Sequence, residues 1–312
     1  RFDARVRREA ETLVADGFRV ICLTPEQGDT PRSYALRGVE IRELRVPKYQ
    51  GKSTARYTAS YLNFLARSLL VSSRLLHSER IDVIHIHNIP NFLVLAGLVP
   101  RLFGRRVILD IHDSVPETFA SKFSGKKAWL FRFLCLEERI SARLAHRVIL
   151  VNHPQKEVVV QRGIPSSKCF VSMNVPDPAI FNGDFRHDPK KQGEKFRLIY
   201  HGTMARRLGV DLIIRAVARL RQSIPGLEMH FWGWGDDLSD FQKLTRSLQL
   251  EDVVFFKPDG VSFHELPEQL AGMDVGVVGN RRDRATELML PVKLLEYLAL
   301  DIPAVVPRLM TI

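Results

Sequence analysis

Lys293 and Glu296 stand three residues apart in the run LPVKLLEYLA, directly behind Pro291. Pro291 suits the first turn of a helix, because its fixed φ fits that turn and its missing N–H is an orphan there anyway. Leu294, Leu295, Leu298 and Ala299 recur at helical spacing and supply a buried face. Lys293 therefore puts a cation where the helix dipole is already positive and the free N–H groups favour an anion. Glu296 lies one turn on, along the same face. A phosphate at this N-terminus resolves the misplaced cation, and a carboxylate one turn deeper can hold a sugar hydroxyl. The alternative is an exposed i,i+3 ion pair, and these residues alone leave both open.

Three further groups of residues have types suited to chemistry. The runs VIHIHN and ILDIHD place His87, Asn88, His112 and Asp113 where two strands end, and in open α/β sheets ligands collect at the carboxyl ends of strands. In GTMARRLG, Gly202 and Gly209 bracket Arg206 and Arg207, so backbone and forked guanidinium donors can both approach a phosphate. The run is neither a P-loop nor GxGxxG. No DxD stands at a strand end where a metal could bind, and Asp113 and Asp177 stand alone. Cys22, Cys135 and Cys169 have unrelated spacings, which argues against a zinc site or a disulfide framework and for a reducing compartment.

These residues need a scaffold, and the chain alternates short β-branched runs with helical ones, which predicts a parallel α/β architecture. Strands are expected at 18–23, 39–46, 83–87, 107–111, 147–151 and 170–172, with helices at 6–15, 55–77, 92–102, 128–144 and 154–162. The polar run RHDPKKQGEK at 186–195 reads as a linker. The alternation then restarts, with strands at 196–200, 228–232, 253–256, 275–278 and 303–306 and helices at 210–220, 238–248 and 264–273 before the Pro291 helix. The expected organisation is two Rossmann-like domains, 1–185 and 196–312, with parallel sheets facing across a cleft. The chain opens at Arg1 without a Met and stops at Ile312 soon after a strand-like run. It is expected to be a fragment truncated at both termini, and unstable or inactive when expressed alone.

The 312 residues carry a formal net charge of +11 and 45% hydrophobic residues, enough for real cores. Such a basic balance suits nucleic acid, an anionic membrane surface or a polyphosphate substrate. Lys48, Lys52, Arg56, Arg67, Arg74 and Arg80 decorate the long helix at 55–77 and its flanks. That region reads either as a solvated face or as a basic amphipathic surface resting on anionic lipid.

With these elements in order, the chain resembles the retaining glycosyltransferases of the GT-B fold, specifically glycosyltransferase family 4. The likeness is carried by Asp3-Ala4-Arg5-Val6, Asp82–Asn88 with Pro90, Ile108–Asp113, Asn174–Asp177, His201–Gly209, Gly233–Gly235 and Leu290–Pro303. The resemblance implies that Arg207, Arg206 and Lys293 hold the donor diphosphate beside Gly202, that Glu296 binds the nucleotide ribose, and that His112 touches the transferred sugar. His87, Asn88 and Asp113 then line the acceptor side. Two positions depart from the pattern. The first of the family's paired acids would fall on Leu288, with Glu287 beside it, and the basic residue before the loop glycine is here Leu208, one place after Arg207.

The implied reaction moves a sugar from a UDP- or GDP-type nucleotide sugar to a lipid-linked or saccharide acceptor with retention, with no metal and no other cofactor. Breaking a glycosyl–phosphate bond builds charge on the leaving diphosphate, and preorganised Arg, Lys and a helix N-terminus can stabilise it. Domain closure is expected to bring His112 over the sugar and exclude water. The expected setting is cytoplasmic, peripheral on the inner face of the plasma membrane, in surface polysaccharide or glycolipid synthesis. Alternatives are a sugar-nucleotide epimerase or phosphorylase of the same fold, or a basic nucleic-acid-binding protein. A phosphorylase would need a pyridoxal phosphate lysine that the chain does not display. Against nucleic acid, there are no RNP-like aromatic strands, helix-turn-helix or zinc pattern.

Overall fold

The computed structural model describes residues 3–26, 28, 32–47, 54–122, 128–182, 185 and 195–312. The chain divides into two compact units, residues 1–173 and 174–312. The sequence expectation ended the first domain at 185. Phe181, however, is buried with Ile199, Trp232 and Tyr297 of the second unit. Most of the expected linker, 186–194, lies outside the described residues, as do Lys48 and Lys52.

The first unit opens with α1 (Ala4–Ala15), whose first turn is capped by Asp3 accepting from the N–H groups of Arg5 and Val6. Next come β1 (Ile21–Glu26), β2 (Ser33–Leu36), β3 (Val39–Pro47) and the long α2 (Thr54–Ser78). Then follow β4 (Val83–His87), α3 (Leu98–Leu102), β5 (Arg106–Ile111), α4 (Val115–Lys122) and α5 (Ala128–Leu144). β6 (Arg147–Leu150), α6 (His153–Gln161) and β7 (Cys169–Val171) close the unit.

Its strands form two sheets among the described residues. One has the order β1-β3-β2, the other β4-β5-β6-β7 with every neighbour parallel. β5 and β6 lie inside, and Val107, Leu109, Ile111, Val148 and Leu150 are all at most 1% exposed, as parallel strands covered on both faces require.

Two expectations need correction here. β2 pairs antiparallel with β3, so the first sheet is mixed, because a tight turn at Arg37 and Gly38, both at positive φ, folds the chain back on itself. The single helix expected at 92–102 is a 3₁₀ stretch, Asn91–Gly97, followed by the short α3. The sequence reading also contains no counterpart of α4, whose Glu117 is buried.

The second unit contains β8 (Phe196–His201), α7 (Val210–Leu220), β9 (Leu227–Trp232), α8 (Leu238–Ser247), β10 (Val254–Lys257) and α9 (Leu266–Ala271). β11 (Val275–Val277), α10 (Val292–Ala299) and β12 (Ala304–Val305) follow. The sheet order is β10-β9-β8-β11-β12, all parallel. Tyr200, Met229 and Phe231 fill one face with α7 and α8, while Ile199, Leu270 and Tyr297 fill the other. β8 is central, so the residues that follow it are held on both sides.

Candidate functional site

In the first unit β4 and β5 run parallel with His87 opposite Asp110. Side chains two apart on a strand share a face, so Asp110 and His112 emerge together, as do His85 and His87, whose rings stack at 4.3 Å. His112 Nε2 lies 3.2 Å from Asp110 Oδ2 and 3.0 Å from His87 Nδ1. Burial disfavours a charged Asp110. Hydrogen bonds from His112, His85 and His87 outweigh it and hold the carboxyl far below the usual carboxylate range. An ionised Asp110 accepting from Nε2–H orients the His112 ring. Burial also pushes the His87 imidazole down, keeping it neutral.

α1 supplies the counter-charge. Arg5, 5% exposed, donates Nε to Asp110 Oδ2 at 3.0 Å, Nη2 to Oδ1 at 3.2 Å and Nη1 to the Ser172 carbonyl at 2.9 Å. Glu9, one helical turn on, pairs with the same guanidinium at 3.0 Å. Burial, then the charge of Asp110, pushes the Glu9 carboxyl up. Glu9, His85, His87 and Asp110 offer ligand atoms within 4.8 Å of one another, a donor set that can hold a divalent cation. Arg5 already brings a cation to both carboxylates of that set, one positive charge shared between two acids.

Asn88 fixes the loop beyond β5. Its Oδ1 accepts from the His112 N–H at 2.8 Å, and its Nδ2 donates to the Asp113 carbonyl at 2.8 Å and to Asn91 Oδ1 at 3.0 Å. Asn91 in turn donates to Glu137 of α5 at 3.0 Å. The four strand-end residues read from the sequence, His87, Asn88, His112 and Asp113, are thus brought together. Arg5, Glu9 and Asp110 were missed as site members. The signal for Asp110 was an acid inside a buried strand run, two positions before His112.

In the second unit the turn after β8 carries the cluster. Gly202 adopts φ +109°, and a Cβ there would stand 3.4 Å from the Lys293 ammonium. Gly209 has φ +73°, and a Cβ would fall 1.8 Å from the Gly279 carbonyl oxygen, so only glycine lets these loops meet. Lys293, half-buried in the first turn of α10, holds Nζ 3.6 Å from the centre of the Tyr200 ring. Desolvation pulls its ammonium down to about 7, against the opposing charge of Glu296. No side chain caps the N-terminus of α10, and no acid stands in its first turn.

Glu296 is buried, with Oε2 3.3 Å from His201 Nε2. The exposed i,i+3 pair left open by the sequence is therefore not what forms. Burial, helped by Lys293, lowers His201 to about 3, so it stays neutral, and its Nε2 is enclosed without a hydrogen bond.

The two arginines of the loop differ. Arg206 is 63% exposed and reaches toward Asp240 at 3.8 Å. The charge of Arg207 is felt at the Tyr200 hydroxyl, and its Nη1 is buried without a hydrogen-bond partner. Glu287 has one carboxylate oxygen on Arg282 and the other on the Met310 N–H. Among the described residues no contact ties it to Lys293, Glu296 or His201. Tyr200, the platform under Lys293, was read from the sequence only as the end of a strand.

Comparison with known proteins follows the same division. A family described as "Glycosyl transferase 4-like domain" matches residues 3–174, and one described as "Glycosyl transferases group 1" matches residues 195–311. Over 251 residues the chain is 23% identical to an uncharacterized glycosyltransferase, YqgM, of Bacillus subtilis (strain 168), covering 77% of this chain and 66% of that protein. Over 262 residues it is 21% identical to a phosphatidylinositol N-acetylglucosaminyltransferase polypeptide of Homo sapiens, covering 81% and 49%. The chain thus spans about half to two thirds of the length of these curated relatives. Among solved structures it is similar to sucrose-phosphate synthase from Thermosynechococcus elongatus, with TM-score 0.70, 16% identity and coverage of 96% and 74%. It is also similar to Anabaena Alr3699/HepE in complex with UDP, with TM-score 0.62, 13% identity and coverage of 94% and 82%. At these identities the structures share the fold.

Proposed function

The chain belongs to the glycosyltransferases, with a 4-like domain in its first unit and a group 1 domain in its second, and from this premise we propose its reaction. The fold is GT-B. The reaction is transfer of a sugar from a UDP- or GDP-type nucleotide sugar to a lipid-linked or saccharide acceptor, with retention of the anomeric configuration. The nucleotide sugar is the substrate, and the reading calls for no cofactor.

One observation carries the proposal. At the carboxyl end of β8, Lys293, the inner Arg207 guanidinium and the uncapped N-terminus of α10 converge around Tyr200, and among the described residues no carboxylate is in hydrogen-bond contact with either cation. An anion completes that arrangement, and a diphosphate has the charge to match both cations. As the glycosyl–phosphate bond breaks, charge grows on the leaving oxygen, and these fixed donors stabilise it without reorganising. Glu296, one turn deeper, accepts from a ribose hydroxyl. His112, held by Asp110, hydrogen-bonds the transferred sugar. The role lies in surface polysaccharide or glycolipid synthesis at the inner membrane face.

The test is incubation with UDP- and GDP-sugars and a lipid acceptor extract, following three products separately. Transfer with the donor's anomeric configuration kept is expected. Epimerised donor, or donor that is hydrolysed without transfer, overturns the reading. His112→Ala is expected to lower turnover far more than donor affinity, measured by steady-state kinetics beside nucleotide titration. Equal loss in both would move His112 to the ground-state binding surface.

A further inference from the structure

α5 has two chemically opposite faces. Inward, Glu138 is 1% exposed and accepts from Arg162 at 2.6 Å, while Glu137 accepts from Asn91 at 3.0 Å and from Ser141 Oγ at 3.2 Å. These are the only two acids of the helix. Outward, Trp129, Phe133, Leu136 and Ile140 recur at steps of four, three and four residues, which is one stripe of a helix. They are 69%, 55%, 52% and 51% exposed. Arg132 and Arg143 stand exposed on the same side. A solvated helix face carries mixed charge and few large apolar groups. This face carries aromatic and aliphatic side chains, cations, and no carboxylate of its own.

We propose that the outer face of α5 is a docking surface for an anionic lipid bilayer. Trp129, Phe133, Leu136 and Ile140 enter the boundary between headgroups and acyl chains, and Arg132 and Arg143 meet lipid phosphates. Charge selects this occupant over a second copy of the chain. A two-fold contact through α5 sets one cationic face against another with no acid between them. No described helix is long and apolar enough to cross a membrane, so the contact is one of lying on the surface.

The sequence directs attention to α2 instead. There, among the described residues, Leu62 and Leu70 are the large exposed apolar side chains, two against the four of α5, with the small Ala66 between them at steps of four and Asn63 and Arg67 exposed alongside. Glu79, just beyond α2, is engaged by Arg19 and Arg42, which leaves that end a mixed-charge surface. α5 also touches the site. Its inner Glu137 holds Asn91, which holds Asn88, which holds the His112 N–H. The helix that meets lipid therefore anchors the loop assigned to the acceptor side. The proposal deepens the reading of a lipid-linked acceptor and rests on it for purpose only, because its test needs no transfer.

The full chain is co-sedimented with vesicles of phosphatidylcholine alone and of phosphatidylcholine with phosphatidylglycerol, at low and high salt. Binding is expected only with phosphatidylglycerol and is expected to weaken with salt. Phe133→Asp with Ile140→Asp lowers the partition coefficient by about tenfold or more, since each side chain loses its buried apolar area. Leu62→Asp with Leu70→Asp on α2 leaves partition within about twofold of the parent, as substitutions off the contact face do. All four positions are exposed, and an unchanged melting curve confirms the fold of each variant. Retained binding by the α5 variant overturns the proposal. So does a concentration-dependent dimer in light scattering that the α5 variant dissolves, because that assigns the face to a second copy. Loss of vesicle binding with unchanged transfer to a detergent-solubilised acceptor supports lipid docking. Absence of transfer with vesicle binding intact overturns the functional reading and leaves the docking surface standing.

Discussion

The two strand-end clusters solve opposite problems with similar residues. In the first unit Arg5 bridges Asp110 and Glu9, and Asp110 is further held by His112, so the buried cation has acids beside it, while Glu9 Oε2 and His85 Nε2 are left without a close hydrogen bond. In the second unit Lys293 has an aromatic ring beneath it, Arg207 has a buried nitrogen without a hydrogen bond, and His201 is neutral. A cluster whose acids share a buried arginine holds those side chains at a fixed geometry without a ligand. A cluster left electropositive at a helix N-terminus is completed by an anion from outside. The difference teaches where each unit stores its free energy. The first commits burial and pairing to stability, while the second keeps electrostatic strain that a phosphate can relieve.

Charge reversal in the open cluster should produce the largest effect. Lys293→Glu is expected to abolish nucleotide-sugar binding in calorimetric titration, whereas Lys293→Ala weakens it by roughly ten- to a hundredfold, the scale of a hydrogen bond to a charged group. Unchanged affinity in the reversed variant, together with a more stable free protein, would make Lys293 a plain surface charge.

Breaking the closed cluster should tell in stability. Asp110→Asn leaves the buried Arg5 with Glu9 and the Ser172 carbonyl as partners and is expected to lower the unfolding free energy of the first unit by about 1.5–3 kcal/mol, the scale of a lost charged hydrogen bond. Denaturant melts measure this, and donor affinity in the second unit should hold at parental strength. If nucleotide binding fell as well, the contrast between the clusters would collapse.

Glu296→Ala tests the deeper end of the open site. A hydroxyl–carboxylate contact supports a loss of roughly 1.5–3 kcal/mol, or ten- to a hundredfold in the dissociation constant for the nucleoside diphosphate. A superimposable titration curve would remove Glu296 from the ribose.

pH gives the smallest effect and the sharpest sign. Lys293 is lowered from 10.5 to about 7, so between those values the unfolded chain binds the proton and the ligand-free fold does not. Stability of the free protein, taken as the difference from Lys293→Met, should therefore rise as pH climbs through that window. Donor affinity should move the other way, since a diphosphate favours the ammonium. Between pH 7 and pH 8 it should fall by roughly fivefold, with proton uptake visible in buffers of different ionisation enthalpy. Affinity that is flat across this range would show that Lys293 is already charged in the free protein.

Much of this was legible in the residues. The helices 128–144 and 210–220 and the strand 83–87 have the bounds that periodicity predicts. Gly202, Lys293 and Glu296 meet at one strand end, a grouping that the sequence reading drew from the family resemblance. Less legible were features whose partners are far off in sequence. The hairpin at 33–39 turns on positive φ at Arg37, a residue type that carries no turn signal. The choice between Arg206 and Arg207 depends on which one faces Tyr200, and no spacing rule supplies that. Glu287 sits beside the expected acid position, yet the Met310 N–H and Arg282 hold it.

The chain by itself determined its alternation of elements, its two units and the helix that begins at Pro291, because helix period, strand period and turn chemistry act over a few neighbouring residues. It also determined that a cation would stand at that helix's N-terminus. Only the tertiary structure decided that Arg5 neutralises Asp110 across 105 residues of chain. It alone turned both acids of α5 inward and left the aromatic and basic face outside. Such pairings depend on which surfaces the packed sheets bring within hydrogen-bond reach. Local periodicity selects the face of an element, and long-range packing selects what that face meets.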